Sequence, residues 1–303
     1  MRTRHLLIYF GVLLLFVLSA LGYLLISYDP GRGATGEKEV PTAVEDPSVD
    51  DPPGAPADEP EDEPVADEPV IPAPGAPPVP RYRLYLILDD AGQNLQELAP
   101  FAPLRGPFTL AVLPGLPFSA EAAQWALDRG HEVILHQPME AFSGADPGPG
   151  AIFHDDDPTV IQRTLRANLQ VIPGITGVNN HMGSRVTSTP EAMRSVLTVI
   201  QEEGLYFLDS RTTPESVVPQ VATELDMSVL VRQVFLDDDR APAAIQQELD
   251  RALEIARTEG SVIMIGHVMV PFLAEELVRR QDHLQAEGFV FAPLIEAYQE
   301  LQR

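Results

Sequence analysis

The sequence predicts an α/β fold. It reads as a closed or nearly closed (β/α) barrel of seven or eight mostly parallel strands, preceded by one transmembrane helix and a disordered linker. Three observations carry this. From residue 81 to the C-terminus, apolar runs alternate with helix-patterned stretches, as a parallel sheet wrapped in helices requires. Residues 6–27, LLIYFGVLLLFVLSALGYLLIS, form an apolar run of 22 residues, long enough to span a bilayer. Residues 30–80 hold 14 prolines and 13 acidic side chains, too little apolar surface to offset the entropy of ordering.

The chain thus divides into residues 1–29, 30–80 and 81–303. Arg2 and Arg4 precede the apolar run and acidic residues follow it. The positive-inside rule then places the N-terminus in the cytoplasm and the remainder across the membrane. An uncleaved anchor is favoured over a signal peptide, because the run is long and no small-x-small cleavage site follows. The linker reaches on the order of 40 Å as a flexible coil. Its GRGATG (Gly31 to Gly36) matches a dinucleotide fingerprint only formally, since no strand precedes it.

In the folded part, strands are expected at 83–89, 107–113, 131–137, 175–181, 205–209, 229–236, 261–266 and 289–292. Between them, Ser119 is expected to cap the helix AEAAQWALDRG, which Gly130 stops. Asp157-Pro158 opens TVIQRTLRANLQ. STPE (Ser188 to Glu191) has the form of a capping box with proline in the first turn, and Gly204 ends that helix.

Several strands end in polar side chains. The first ends in Asp89-Asp90, the third in ILHQPME with His136 and Glu140, and the fourth in VNNHMGS with Asn180 and His181. YFLDSRT follows with Asp209 and Arg211, VFLDDD with Asp237, and IMIGH with His267. In a parallel barrel these ends share one face, where such folds bind and react ligands. Two adjacent carboxylates after a buried strand repel each other, and a cation held jointly with histidines from other strands would compensate them. Each residue also has a structural reading: Asp89-Asp90 as a turn cap, His136 and His181 as backbone-bonded core histidines, His267 as a loop cap, Asp237 as part of a solvated acidic run. His131, His154 and His283 lie away from the expected strand ends and are assigned structural roles.

Composition narrows the chemistry. The 303 residues include no cysteine, so any metal must be held by His, Asp or Glu. The only lysine, Lys38, lies in the linker, which disfavours Schiff-base and Walker-type phosphate chemistry. A formal net charge of −25 argues against nucleic acid as a partner.

Taken together, ILDDAG, EVILHQPME, GVNNHMGSR, FLDSRTT, VFLD and IGH resemble the divergent polysaccharide deacetylase family over essentially all of residues 81–303. The resemblance implies a metal-dependent carbohydrate esterase on a distorted (β/α) barrel. It makes Asp89 the general base and Asp90 a metal ligand, with His267 as general acid. The related deacetylases carry an H-x-x-x-H ligand motif; here HQPME puts Glu140 in place of its second histidine. Either His181 supplies the missing imidazole, giving Asp90, His136 and His181, or Glu140 is itself a ligand. Arg211 and Asp209 stand as substitutes for an arginine and an aspartate of the family pattern. Asn180 and Asp237 are further metal or substrate candidates. The implied cofactor is one divalent ion, Zn2+, and the implied substrate an N-acetylated envelope glycan. The implied place is the periplasmic side of a bacterial inner membrane. A non-catalytic glycan-binding or scaffold module is the alternative from another class. A metal phosphoesterase ranks below both, for want of cations near this acidic face.

Overall fold

The structure is a computed structural model that describes residues 81–303. The expected membrane helix and linker, residues 1–80, lie outside the described residues. No helix among the described residues is long and apolar enough to cross a membrane.

Nine strands form one sheet: β1 (Tyr82–Ala91), β2 (Thr109–Val112), β3 (Glu132–Met139), β4 (Ile175–Met182), β5 (Tyr206–Asp209), β6 (Leu230–Val231), β7 (Val234–Phe235), β8 (Ser261–His267) and β9 (Phe289–Phe291). The order is β6-β5-β4-β3-β2-β1-β8-β7, with every pairing parallel. The terminal strands β6 and β7 are separated in sequence only by Arg232 and Gln233. The sheet therefore curls back on itself into an incompletely closed barrel, bridged by one interrupted strand.

That interruption corrects the continuous strand expected at 229–236. The segment changes partner midway: the Arg232 N–H donates to Asp209 O on one edge and the Gln233 N–H to Ile263 O on the other. Neither ladder continues past the switch. The strand expected at 289–292 forms as β9. β9 pairs with Tyr82, Arg83 and Leu84, the first residues of β1, and stays at the end of the barrel remote from the polar strand termini.

The two faces of β1 show why these residues form a buried parallel strand. Leu84, Leu86 and Leu88 pack outward into the layer shared with the helices. Tyr85 and Ile87 point into the barrel, against Ala111, Ile134, Tyr206, Leu208 and Ile265. Side chains alternate faces along a strand, and both faces of a parallel sheet are covered, so the run is apolar throughout.

Around the sheet lie α1 (Ser119–Leu127), α2 (Pro158–Gln170), α3 (Pro190–Glu202), α4 (Val218–Glu224), α5 (Pro242–Glu259), α6 (Pro271–Ala286) and α7 (Leu294–Leu301). Asp157 caps α2 as expected, accepting the Thr159 N–H, with Pro158 following. Gly130 and Gly204 take positive φ just past α1 and α3, where a left-handed residue ends a helix without a Cβ clash. Two expected caps do not form. Ser119 is the first residue of α1, and its hydroxyl donates back to Leu113 O. In STPE, the Ser188 and Thr189 hydroxyls are spent on Ser184 O and Arg185 O, so no capping box closes.

The end of the barrel where the strands begin is sealed by α7 and by Glu132, the first residue of β3. Glu132 is buried. It accepts hydrogen bonds from Thr109 Oγ1 at 2.8 Å, Thr176 Oγ1 at 2.5 Å, Tyr206 Oη at 2.8 Å and the Ile295 N–H at 3.1 Å. The last is a free donor in the first turn of α7, where a negative charge is favoured.

Candidate functional site

At the opposite end, the layer above Ile87 turns polar. Register places Asp89 beside His267 on β8 and His136 beside Asn179 on β4. His181, two residues on along β4, stands one step further out. Asp90 needs a special device, since adjacent strand residues point to opposite faces. Between Leu88 and Ala91 the pairing with β2 slips, and Asp90 has φ 67°. This bulge turns the Asp90 carboxylate back toward the cavity, and Asp is among the residues that tolerate the conformation.

Three donors converge there. Asp90 Oδ1 lies 3.1 Å from His136 Nε2 and 2.8 Å from His181 Nδ1, and the two ring nitrogens are 3.2 Å apart. Neither imidazole meets hydrogen-bond geometry toward Asp90 Oδ1, which is buried without a hydrogen-bond partner. A buried carboxylate oxygen without a donor is costly. Donors 2.0–2.1 Å from a tetrahedral ion stand roughly 3.3 Å apart, close to the three separations observed. One carboxylate and two imidazoles suit a divalent ion and leave a coordination position open, so these residues fit a metal.

Charge follows the same arrangement. Burial alone would push the Asp90 carboxyl up; the imidazoles of His136 and His181 outweigh it and hold it well below the usual carboxylate range. Asp89 is 2 % exposed, and burial raises its carboxyl against the pull of His136 and His267. Burial works against a proton on His136, but Asp89 and Asp90 prevail and raise it.

His267 forms the other wall. Its Nδ1 lies 2.8 Å from Asp237 Oδ1, and its backbone N–H donates to Asp237 Oδ2 at 2.8 Å. Burial would lower the imidazole, yet Asp237 outweighs it and raises it to about 9. Nε2 faces Asp90 Oδ2 at 3.9 Å. The cavity between these groups measures about 270 Å³ and extends past Ser210, Phe235 and Arg240.

The remaining candidates are placed elsewhere or committed to structure. Glu140 is outside the cluster. It accepts His154 Nδ1 at 2.6 Å, the His154 N–H at 3.1 Å and Arg185 Nη1 at 3.2 Å, and these partners hold it below its usual range against burial. His154, assigned a structural role from sequence, thus sits in a second acidic group with Glu140 and Asp155. Asn180 lines the cavity, but its amide accepts the Ser210 N–H and donates to Met182 O. Asp209 accepts the Arg211 N–H and the Ser216 hydroxyl and so shapes the loop after β5. Arg211 is exposed. Asp237 touches His267 rather than the three donors.

Sequence reasoning missed two residues. Asn179 is buried between His136 and Asp89: its Oδ1 is 2.7 Å from His136 Nδ1, and its Nδ2 donates to Asp89 Oδ1 at 2.9 Å. Strand parity held the signal, since Asn179 lies two residues before His181. Arg232 fastens the closing segment, donating to Ser210 O at 2.6 Å and Arg211 O at 2.9 Å; a lone arginine inside an apolar run gave no comparable sign.

Comparison with known proteins agrees with this architecture. Residues 86–298 match the family described as divergent polysaccharide deacetylase. An uncharacterized protein of Haemophilus influenzae is 32% identical over 185 residues, covering 61% of this chain and 66% of the relative. The uncharacterized protein YibQ of Escherichia coli is 34% identical over 190 residues, covering 63% and 60%. The aligned segment thus spans less than two thirds of either relative's length. The crystal structure of an uncharacterized Agrobacterium tumefaciens protein superposes with TM-score 0.67 at 24% identity, covering 74% of this chain and 90% of that one; the two share a fold. The chain belongs to the divergent polysaccharide deacetylase family.

Proposed function

We propose that this chain is a metal-dependent hydrolase that removes N-acetyl groups from an envelope glycan. The observation that carries the proposal is the buried Asp90 Oδ1, without a hydrogen bond and flanked by His136 Nε2 and His181 Nδ1. Asp90, His136 and His181 would hold the ion, and zinc suits two nitrogens and one oxygen in a tetrahedral arrangement. Bound there, the ion would supply Lewis acidity toward the acetamide carbonyl and toward water.

The chain's own groups do the rest. Asp89 Oδ1 is engaged by Asn179 Nδ2, whereas Oδ2 faces His136 Nε2 at 3.6 Å. Oδ2 is therefore the oxygen that takes the proton of the attacking water. His267, held by Asp237, keeps a proton on Nε2 across the cavity and delivers it to the leaving nitrogen. Acetate and a free amino sugar result. The expected membrane helix at 6–27 and the linker at 30–80 would place this chemistry on the periplasmic side of a bacterial inner membrane.

One observation favours a second reading, a glycan-binding module without turnover. Glu140, in place of a ligand histidine of related deacetylases, is committed to His154 and Arg185. Incubating the chain with N-acetylated glycan fragments, with and without chelator, separates the two. Acetate release that stops on chelation and returns with Zn2+ supports the hydrolase; binding without release supports the module.

A further inference from the structure

His136 and His267 face the same cavity, yet their outer nitrogens rest on different partners. Asp237 holds His267; a neutral amide, Asn179, holds His136. That amide is fully buried and also donates to Ser210 Oγ at 3.3 Å. Its orientation follows from its contacts: the NH2 group donates to Asp89 Oδ1 and to Ser210 Oγ, which leaves the carbonyl oxygen, an acceptor only, facing His136 Nδ1. His136 Nδ1 then donates to that oxygen, which leaves Nε2 as the nitrogen turned to the cavity.

We infer that Asn179 is a positioning residue that makes two atom choices at once: Nε2 of His136 as the metal-facing nitrogen and Oδ2 of Asp89 as the free, proton-accepting oxygen. The inference rests on the proposed hydrolase for its second half only. Rotating the amide would spoil both choices together, so ligand and base are coupled through one side chain. A carboxylate at this position keeps the first choice and loses the second. It still accepts from His136 Nδ1, but cannot donate to Asp89.

Two substitutions in the full chain test this. Zn2+ affinity, measured by chelator competition, should fall about 10- to 100-fold in Asn179→Ala, as for other groups that orient a ligand histidine, and stay in the wild-type range in Asn179→Asp. Nitrogen NMR of the Zn2+-loaded protein should show His136 protonated on Nδ1 and bonded to the metal through Nε2 in wild type and Asn179→Asp, and a mixture of the two ring arrangements in Asn179→Ala. Crystals of Asn179→Asp should show the Asp89 carboxylate rotated, with kcat lost and KM kept. Wild-type affinity in Asn179→Ala, or an undisturbed Asp89 in Asn179→Asp, would overturn the inference; a purely space-filling side chain would give both. Affinity, tautomer and carboxylate orientation need no turnover. Absence of hydrolysis in wild type would therefore count against the deacetylase reading alone.

Discussion

Each end of the barrel holds a carboxylate with an oxygen shut off from solvent, Glu132 at one and the half-buried Asp90 at the other, and the two are treated in opposite ways. At one end Glu132 accepts four hydrogen bonds, three from hydroxyls and one from the start of α7. At the other, Asp90 Oδ1 has two imidazole nitrogens beside it and no hydrogen bond. Burial costs both groups solvation. Glu132 recovers it from neutral donors of the chain, so its charge serves the fold. Asp90 is held in place by a bulge with φ 67°, and its charge is balanced only by the imidazoles of His136 and His181, the two groups that would share an ion with it. A satisfied buried charge marks architecture; an unsatisfied one, aimed at two ring nitrogens, marks a site for a cation.

The contrast can be broken in several ways, beginning with the largest expected effect. Asp89→Asn should keep Zn2+ bound and lose about 10²–10⁴-fold in acetate release, the usual contribution of a general base. His136→Ala should lose both metal and activity. Full activity in either would detach the site end from catalysis. Next, Glu132→Ala strands several buried donors and should cost about 3 kcal/mol or more in denaturant unfolding, with metal affinity preserved if the chain folds. A neutral result there would remove the structural half of the comparison. Asp90→Asn should behave in the opposite sense toward the metal. Asn accepts the left-handed backbone but removes the charge that His136 and His181 hold ionised. The metal-free variant should therefore unfold somewhat earlier than wild type at neutral pH, by less than Glu132→Ala, while Zn2+ ceases to stabilise it.

The smallest effect concerns pH at the structural end. His131 stacks on Phe108 at 3.7 Å and near Trp125 at 5.8 Å. Burial, aided by Arg129, lowers its imidazole from 6.5 to about 4. The unfolded chain then binds the proton first as pH falls. The stability tied to neutral His131 is present above pH 6.5 and is lost as pH falls toward about 4. His131→Phe should keep the stacking and flatten the stability profile in that window. An unchanged slope would mean that the ring is not held neutral there.

Much of this was legible in the sequence, because strand–helix alternation and polar strand termini are local patterns. Asp90, His136 and His181 could be named together since each follows an apolar run that had to be a strand. What stayed hidden depends on partners distant in sequence. Of the two neighbouring asparagines, Asn180 drew notice, although Asn179 shares the inward face with His181. Glu132 opens its strand like any solvated residue, and its partners come from elsewhere in the chain, from Thr109, Thr176, Tyr206 and the start of α7. The split between β6 and β7 follows from a change of pairing partner, which periodicity within 229–236 does not encode. The capping box failed because Ser188 and Thr189 had nearer carbonyls to satisfy.

The most direct test is an anomalous-scattering map from crystals of the chain grown with Zn2+. The account predicts one peak bonded to Asp90, His136 and His181 at about 2.0–2.2 Å, with Glu132 unchanged at the far end. A map without density there, or with its peak at Glu140 and His154 instead, would contradict it.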